Sequence, residues 1–585
     1  MPVHTLPIHD DGTFNFLPPT SSVPHETVPH EDTISSAASL DNEMSSDAPP
    51  VSNSSPVSTS AQPIPPIRSV RSRQPPSYLK HYHCPTLPHV ANLVQSDSKS
   101  QFPSEESIGL TGLYNTIKME SIVFYPAPDR GHLISTVELA KLILSQNPSL
   151  TINIIVINPP IKLGSTAPYI TAVSATVPSI KFHHLPTVSM DPNSYPNSMA
   201  IMFDHFRLVN PHVVDLLRSF SRDFTVRCLI LDLFCFPALE IASELNIPAY
   251  YFFTSGASCL AVFHQLPNLY ETTSQDFNDL HTTLLKLPDF PPIPLSHMPE
   301  PVLFRNNPEC LYIIECATHL KKSAGIIVNS FESLEPKAVK LLSSSSTESP
   351  VYCIGPLTTT AGQTSENVHE CMTWLDSQPS GSVVFICFGS MGLLSKQQLR
   401  EIAFGLERSQ QRFLWVVRNP PSENQSKDPM NQPDPDLDSV LPSGFLDRTR
   451  DRGLVVKSWA PQVAVLNHAS IGGFVTHCGW NSVLESVLAG VPMVAWPLYA
   501  EQKINKAFLV EELKLALPMN SEPESGGLVS AAEVEKRVRE LMDSEEGDSV
   551  RKRVVMKRDE AMAALSHGGS SRVALAKLAE SWMRN

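Results

Sequence analysis

The sequence predicts an α/β protein of two doubly wound parallel-sheet domains in tandem, preceded by a segment without globular patterning. Three observations carry this expectation: short runs apolar nearly throughout alternate with segments apolar at helical spacing, the series occurs twice, and residues 1–118 differ in composition from everything after them. A strand that is apolar on both sides is one buried on both faces, as in a parallel sheet covered by helices. At 585 residues the chain also exceeds one ordinary core.

Residues 1–118 are rich in Ser, Pro and Thr. Such composition cannot bury enough apolar surface to offset the entropy of ordering, so a disordered and dispensable extension is expected. His81 and His83 near Cys84 read there as solvated side chains. The first series opens with a strand at 121–125 and a loop at 126–131, after which Leu133, Val137, Ala140 and Leu144 share one helix face. Further strands lie at 152–157, with Asn153 as a polar exception, at 228–231 before Asp232, and at 250–253 before Thr254. The second series follows the segment 353–357, with strands at 383–388, 413–417, 473–476 and 492–496. A polar insertion at 419–439 reads as a mobile loop; its Asp434, Asp436 and Asp438 are spaced as in some cation sites, but charged loops are mostly solvated, and no metal is expected. Beyond about residue 530 the pattern is helical, with a turn at Gly568 and Gly569. These divisions give domains at 119–355 and 356–565 and a terminal helix at 566–585 packing back on the first domain.

A net charge of −15 with no basic stripe argues against nucleic acid. The ten cysteines show no C-x-x-C spacing, so reduced thiols are expected, and neither a zinc site nor a disulfide framework. Asp10, Asp11 and Glu26 disfavour a targeting peptide, and no run approaches the roughly 20 apolar residues of a membrane span. A cytoplasmic monomer without membrane insertion is the expectation.

Ligands of open parallel sheets bind beyond the carboxyl ends of the strands. Gly479 ends one strand and opens a helix with Val483, Leu484, Val487 and Leu488 inward, closed by Gly490. Its unpaired amides and positive dipole end suit a diphosphate. His477, Asn481 and Ser482 add donors, and Ser390, after another strand, adds a fourth. Alone, Asn481 and Ser482 are as well read as helix caps. His132 stands where the first loop meets its helix, and an imidazole there takes a proton best when a carboxylate fixes its tautomer. Asp232 is the candidate, although alone it reads as a cap.

The segments Trp459-Ala460-Pro461-Gln462, Thr476-His477-Cys478-Gly479-Trp480-Asn481-Ser482, Glu485 and Pro497-Leu498-Tyr499-Ala500-Glu501-Gln502 together resemble the sugar-nucleotide signature of plant family 1 glycosyltransferases. The likeness extends over nearly the whole chain from Met119, including Gly131-His132 and Phe388-Gly389-Ser390. It implies a GT-B fold, in which an N-terminal acceptor-binding and a C-terminal UDP-sugar-binding domain face each other across a cleft. By this resemblance Trp459, beside Ala460, stacks on uracil, Glu485 accepts from the ribose hydroxyls, and Gln462 lies near the ribose. Trp480, Glu501 and Gln502 meet the sugar hydroxyls, and Thr254 contacts the same sugar. Gln502 accompanies glucose donors in the family, where His tends to accompany galactose; Trp480 stands where Arg marks glucuronosyl transfer.

The resemblance also implies that His132, oriented by Asp232, deprotonates the acceptor for inverting transfer, with UDP-glucose as co-substrate and no further cofactor or metal. The acceptor pocket would draw on 185–210 and 285–305, with Phe203, Phe206 and Phe290 as candidates. Residues 124–128 and 137–144 look like the subgroup that glucosylates flavonoids, isoflavones and chalcones, so a small phenolic acceptor is expected. A nicotinamide dehydrogenase is disfavoured because the loop 127–131 lacks Gly-x-Gly-x-x-Gly. A UDP-sugar epimerase or hydrolase, or an inactive UDP-sugar-binding scaffold, remains open.

Overall fold

A computed structural model describes residues 118–161, 165–344, 349–359, 369–421, 433–521 and 527–583. The expected disorder of the N-terminal extension, its histidines, and most of the insertion at 419–439 lie outside these residues.

The strands are β1 (Met119–Tyr125), β2 (Thr151–Val156), β3 (Ile180–His184), β4 (Phe224–Asp232), β5 (Ala249–Phe253), the two-residue β6 (Leu284–Leu285) and β7 (Ile293–Pro294), β8 (Gly325–Val328), β9 (Val351–Cys353), β10 (Val383–Cys387), β11 (Arg412–Val417), β12 (Gly453–Lys457), β13 (Ile471–Thr476), β14 (Met493–Ala495) and β15 (Ala516–Pro518). Seven form a parallel sheet in the order β3-β2-β1-β4-β5-β8-β9, and six form another in the order β12-β11-β10-β13-β14-β15; β6 and β7 pair antiparallel. The tandem doubly wound sheets are those the sequence predicts.

Alternation along the strands sorts the first sheet into two cores. Val123, Tyr125, Leu229, Leu231, Tyr251 and Phe253 face one, which includes residues of the helices Ser198–Leu208, Asn210–Asp223 and Pro308–Leu320. Ile122, Phe124, Ile152, Ile154, Ile230 and Phe252 face the other, under the helix Arg130–Gln146. The same face is completed by Leu575, Leu578 and Trp582 of the last helix, Ser570–Met583, which crosses back from the second half of the chain. Ser571 Oγ there donates to the Gly355 carbonyl at 2.5 Å, so the returning chain is bonded to the outgoing one.

Asn153, the polar exception in β2, is fully buried and satisfied. Its Nδ2 donates to Ser121 Oγ at 2.7 Å, and its Oδ1 lies 2.8 Å from His183 Nε2, forming a polar line across three adjacent strands. The insertion is not loop throughout: Leu437–Val440 is a helical turn flanked by Asp436, while Asp434 accepts from Ser458 Oγ at 2.5 Å. The nine cysteines among the described residues are free and buried. Among the described residues no helix is long and apolar enough to cross a membrane.

Because the last helix supplies a face of the first sheet, Leu578→Ala should cost about 2–5 kcal/mol, the usual range for emptying a fully buried leucine site. Urea unfolding monitored by intrinsic fluorescence would measure it; an unchanged midpoint would show that the helix is dispensable to the core.

Candidate active site

The first sheet reverses its winding between β1 and β4, and the second between β10 and β13, so a crevice opens beyond the carboxyl ends of each pair. In the first crevice, Asp129 caps the helix Arg130–Gln146 by accepting from Gly131 N at 2.7 Å, which sets His132 in the opening turn. Asp232, the last residue of β4, is 3% exposed. Its two oxygens do different work: Oδ1 accepts from Phe234 N at 3.0 Å, and Oδ2 lies 2.6 Å from His132 Nδ1. Cap and imidazole partner, alternatives in the sequence, are thus one residue. Thr254 Oγ1 stands 3.4 Å from the same Nδ1. Burial lowers the His132 pKa, but the Asp232 carboxylate, and more distantly Asp129 and Glu501, outweigh it and raise it from 6.5 to about 9.

The second crevice gathers the other candidates. His477 packs against Gly389 and Gly479, where added Cβ atoms would sit 2.7 and 2.4 Å from its Nε2. Its Nδ1 is buried without a hydrogen-bond partner, and burial lowers its pKa to about 4, so the ring is neutral. Gln462 Nε2 donates to Ser482 Oγ at 2.8 Å and to Glu485 Oε2 at 2.7 Å. Burial raises the Glu485 carboxyl to about 7, against the opposing hydrogen bond from Gln462. Ala460 is buried, Ser390 is exposed, and Trp459 leaves 49% of its surface open, with His369 edge-on at 5.8 Å. An exposed indole is a ready stacking surface. Ser458, Cys478 and Ala500, each beside a candidate residue, hold φ of 61°, 65° and 53°. Left-handed backbone at non-glycine residues is strained, and it clusters at functional sites.

At the crevice, Asn481, Trp480 and Ser255 tie the halves together. Asn481 Oδ1 accepts from Ser135 Oγ at 3.1 Å and its Nδ2 donates to Gly131 O at 3.4 Å, so the opening of the helix Trp480–Ala489 sits beside His132. Trp480 Nε1 donates to Asn329 O at 2.7 Å. Ser255 Oγ donates to Glu501 Oε1 at 3.1 Å. For two residues expected at the sugar, bonds within the protein limit which atoms are left to a ligand. The Trp480 indole N–H is committed to Asn329 and buried, leaving the backbone amide as the donor that residue can offer a sugar. The Gln502 side-chain oxygen accepts from Leu498 N and Tyr499 N at 2.8 and 3.0 Å, so its amide nitrogen is the part left for a ligand.

The three phenylalanines proposed from the sequence belong to, or pack against, one core cluster of the first half, with different neighbours. Phe203 stacks on Tyr312 at 4.1 Å and neighbours Phe234, whose ring is 5.7 Å from that of His132. Phe206 is core, and Phe290 packs edge-on against Phe508 at 5.4 Å. Phe234, Ser135, Ser255 and Asn329 were not singled out from the sequence; they act through contacts with residues distant in the chain. A cavity of about 220 Å³ lies beside the segment 126–128, between Pro126, Leu133, Ile155, Ile157 and Ile170. Among the described residues no group of three His, Cys, Asp or Glu is arranged to hold a metal.

Residues 212–545 match the family described as UDP-glucoronosyl and UDP-glucosyl transferase. The chain is 48% identical over 471 residues to UDP-glycosyltransferase 88B1 of Stevia rebaudiana, covering 79% of this chain and 99% of that protein. It is 46% identical over 482 residues to an anthocyanidin 5,3-O-glucosyltransferase of a Rosa hybrid cultivar, with the same coverages. Against phloretin 2'-O-glucosyltransferase of Malus domestica the identity is 47% over 467 residues, 77% of this chain and 97% of that protein. The solved structure of Phytolacca americana UGT2 complexed with UDP-2fluoro-glucose and pterostilbene superposes with a TM-score of 0.70 at 38% identity, covering 79% of this chain and all of that one.

Asp232→Asn should lower the His132 pKa from about 9, because the largest of the groups that oppose burial is removed while Asp129 and Glu501 remain. Imidazole NMR titration reads this directly, and an unchanged value would assign the shift elsewhere. The raised folded-state pKa also means the pair stabilises the protein below about pH 6.5, an effect lost as pH rises through 9.

Proposed function

The chain belongs to the UDP-glucoronosyl and UDP-glucosyl transferase family and is a UDP-glycosyltransferase of GT-B architecture, and we propose that it transfers glucose from UDP-glucose to a hydroxyl of a small phenolic acceptor of the flavonoid, isoflavone or chalcone class. The observation that carries the mechanism is the 2.6 Å contact between His132 and Asp232, one turn from the point where Asn481 of the second half meets Gly131 and Ser135 of the first. Base and donor helix share one crevice.

With Nδ1–H donated to Asp232, Nε2 is the nitrogen that takes up a proton. The acceptor O–H gives its proton to Nε2; an oxygen lone pair forms the new bond to the anomeric carbon as the bond to UDP breaks, and that electron pair leaves on the diphosphate. Attack opposite the leaving group inverts the configuration. The charge developing on the diphosphate meets the amides and positive end of the helix Trp480–Ala489, with neutral His477 as a hydrogen-bond donor rather than a counter-ion. Trp459 stacks on uracil, Glu485 and Gln462 meet the ribose, and Gln502, Glu501 and Thr254 meet the sugar.

A base with a pKa of about 9 suits a phenol, whose own pKa is roughly 10, far better than an aliphatic alcohol, because proton transfer between matched groups is nearly balanced. The names of the anthocyanidin and phloretin glucosyltransferases support the same class. The first half supplies the acceptor wall, with Phe234 beside the imidazole and Phe203 packed against Phe234.

His132→Ala should lower kcat about 10²- to 10⁴-fold, the usual yield of general-base catalysis, while calorimetry finds UDP affinity nearly unchanged. In the wild type, kcat/KM for a phenolic acceptor should rise with pH toward about 9 as the imidazole loses its proton. Near-normal turnover in the variant would exclude His132 as base. Donor competition should rank UDP-glucose above UDP-galactose and UDP-glucuronate. UDP release without any acceptor would point to a hydrolase instead.

A further inference from the structure

Glu335, just before the helix Pro336–Ser344, is 1% exposed and lies outside the machinery described above. Its Oε2 accepts from Ala257 N at 2.9 Å and from Ser330 Oγ, and its Oε1 accepts from Ser258 N at 2.8 Å. These two amides open the helix Ala257–Phe263, so Glu335 caps a helix nearly eighty residues earlier in the chain. The cap position itself is Gly256, which has no side chain to offer.

The vacancy at Gly256 has a steric reason. A Cβ there would lie 2.8 Å from Glu335 Oε1 and 2.8 Å from Cη2 of Trp480. The backbone of residue 256 is therefore clamped between a carboxylate of the first half and an indole of the second. A local Ser or Asp cap would satisfy the same amides but would exclude Trp480; a cap delivered from a distance satisfies them and leaves the space. The two residues before Gly256 are Thr254, 3.4 Å from His132 Nδ1, and Ser255, which donates to Glu501.

We infer that Glu335 is a positioning residue: it fixes the 254–258 segment so that Thr254 meets the base and Ser255 holds Glu501 at the donor sugar. This rests on the transferase reading above. Uracil and ribose are assigned there to Trp459, Gln462 and Glu485, and the diphosphate to His477 and the amides of the helix Trp480–Ala489; the segment meets Trp480 through its indole rather than its amide. Loss of Glu335 therefore separates turnover from nucleotide binding.

Glu335→Gln presents an amide N–H₂ toward at least one of these donors and loosens the segment. The expected result is a kcat about 10- to 100-fold lower, the scale of a misplacement near 1 Å, with Kd for UDP changed less than about threefold. Hydrogen–deuterium exchange should rise in peptides covering 254–263. Gly256→Ala displaces the segment from its other side and should reproduce the split if the first variant folds poorly. Wild-type kcat in Glu335→Gln, unchanged exchange at 254–263, or a kcat loss that merely follows UDP affinity and folded fraction would each overturn the inference. Should the wild type bind UDP yet glucosylate nothing, the transferase reading falls, and the exchange measurement alone decides whether Glu335 holds the segment.

Discussion

A parallel sheet buried on both faces must pair any polar side chain within its strands, as Asn153 is paired with Ser121 and His183. Polar groups free for a ligand therefore lie beyond the strand ends, and this constraint governs where chemistry occurs in the protein. β1, β4, β5 and β8 are apolar toward their carboxyl ends and release His132, Asp232, Thr254, Ser255, Asn329 and Glu335 at or after those ends. β10 and β13 do the same with Gly389, Ser390 and His477. Two such edges brought together concentrate nearly all the unusual polar chemistry in one seam, and the seam is stitched by Asn481, Trp480 and Ser255.

Within that seam, environment gives the same side chain opposite characters. His132 shares a proton with a nearly buried carboxylate and is held toward the charged form, whereas His477, pressed between two glycines with a ring nitrogen lacking any partner, is held neutral. One is suited to moving a proton, the other to donating a hydrogen bond to an anion without titrating. The left-handed residues beside Trp459, His477 and Glu501 show that the backbone is bent out of its preferred regions to aim these groups.

What the sequence disclosed follows from what burial does to composition. Central strands such as β1, β5, β10 and β13 had to be apolar on both faces and were legible. The edges were not: β3 carries Lys181, His183 and His184, β12 ends in Lys457, and β9 and β15 are three residues each, so no periodicity marks them. β8 was buried but only four residues long. At the site, His132, Asp232 and the 459–502 segment were legible because each sits beside a strand end or in a recognisable run. Asn329 was silent because it acts through its own backbone carbonyl, and Glu335 because it acts on backbone amides; neither leaves a matching residue type in the sequence. For Phe203, Phe206 and Phe290 the sequence is silent on role, because aromatic character in a variable region is shared by core and pocket; Phe203 and Phe206 are both buried in the first half's core cluster.

The Ser571–Gly355 hydrogen bond has a mechanical consequence. The chain passes between its halves twice, and the two passages are fastened side by side at this bond. Paired tethers at one point permit the halves to fold toward each other but oppose their swivelling about the long direction. Any breathing that admits substrates is thereby biased toward something like the opening of a book, with its spine at this bond.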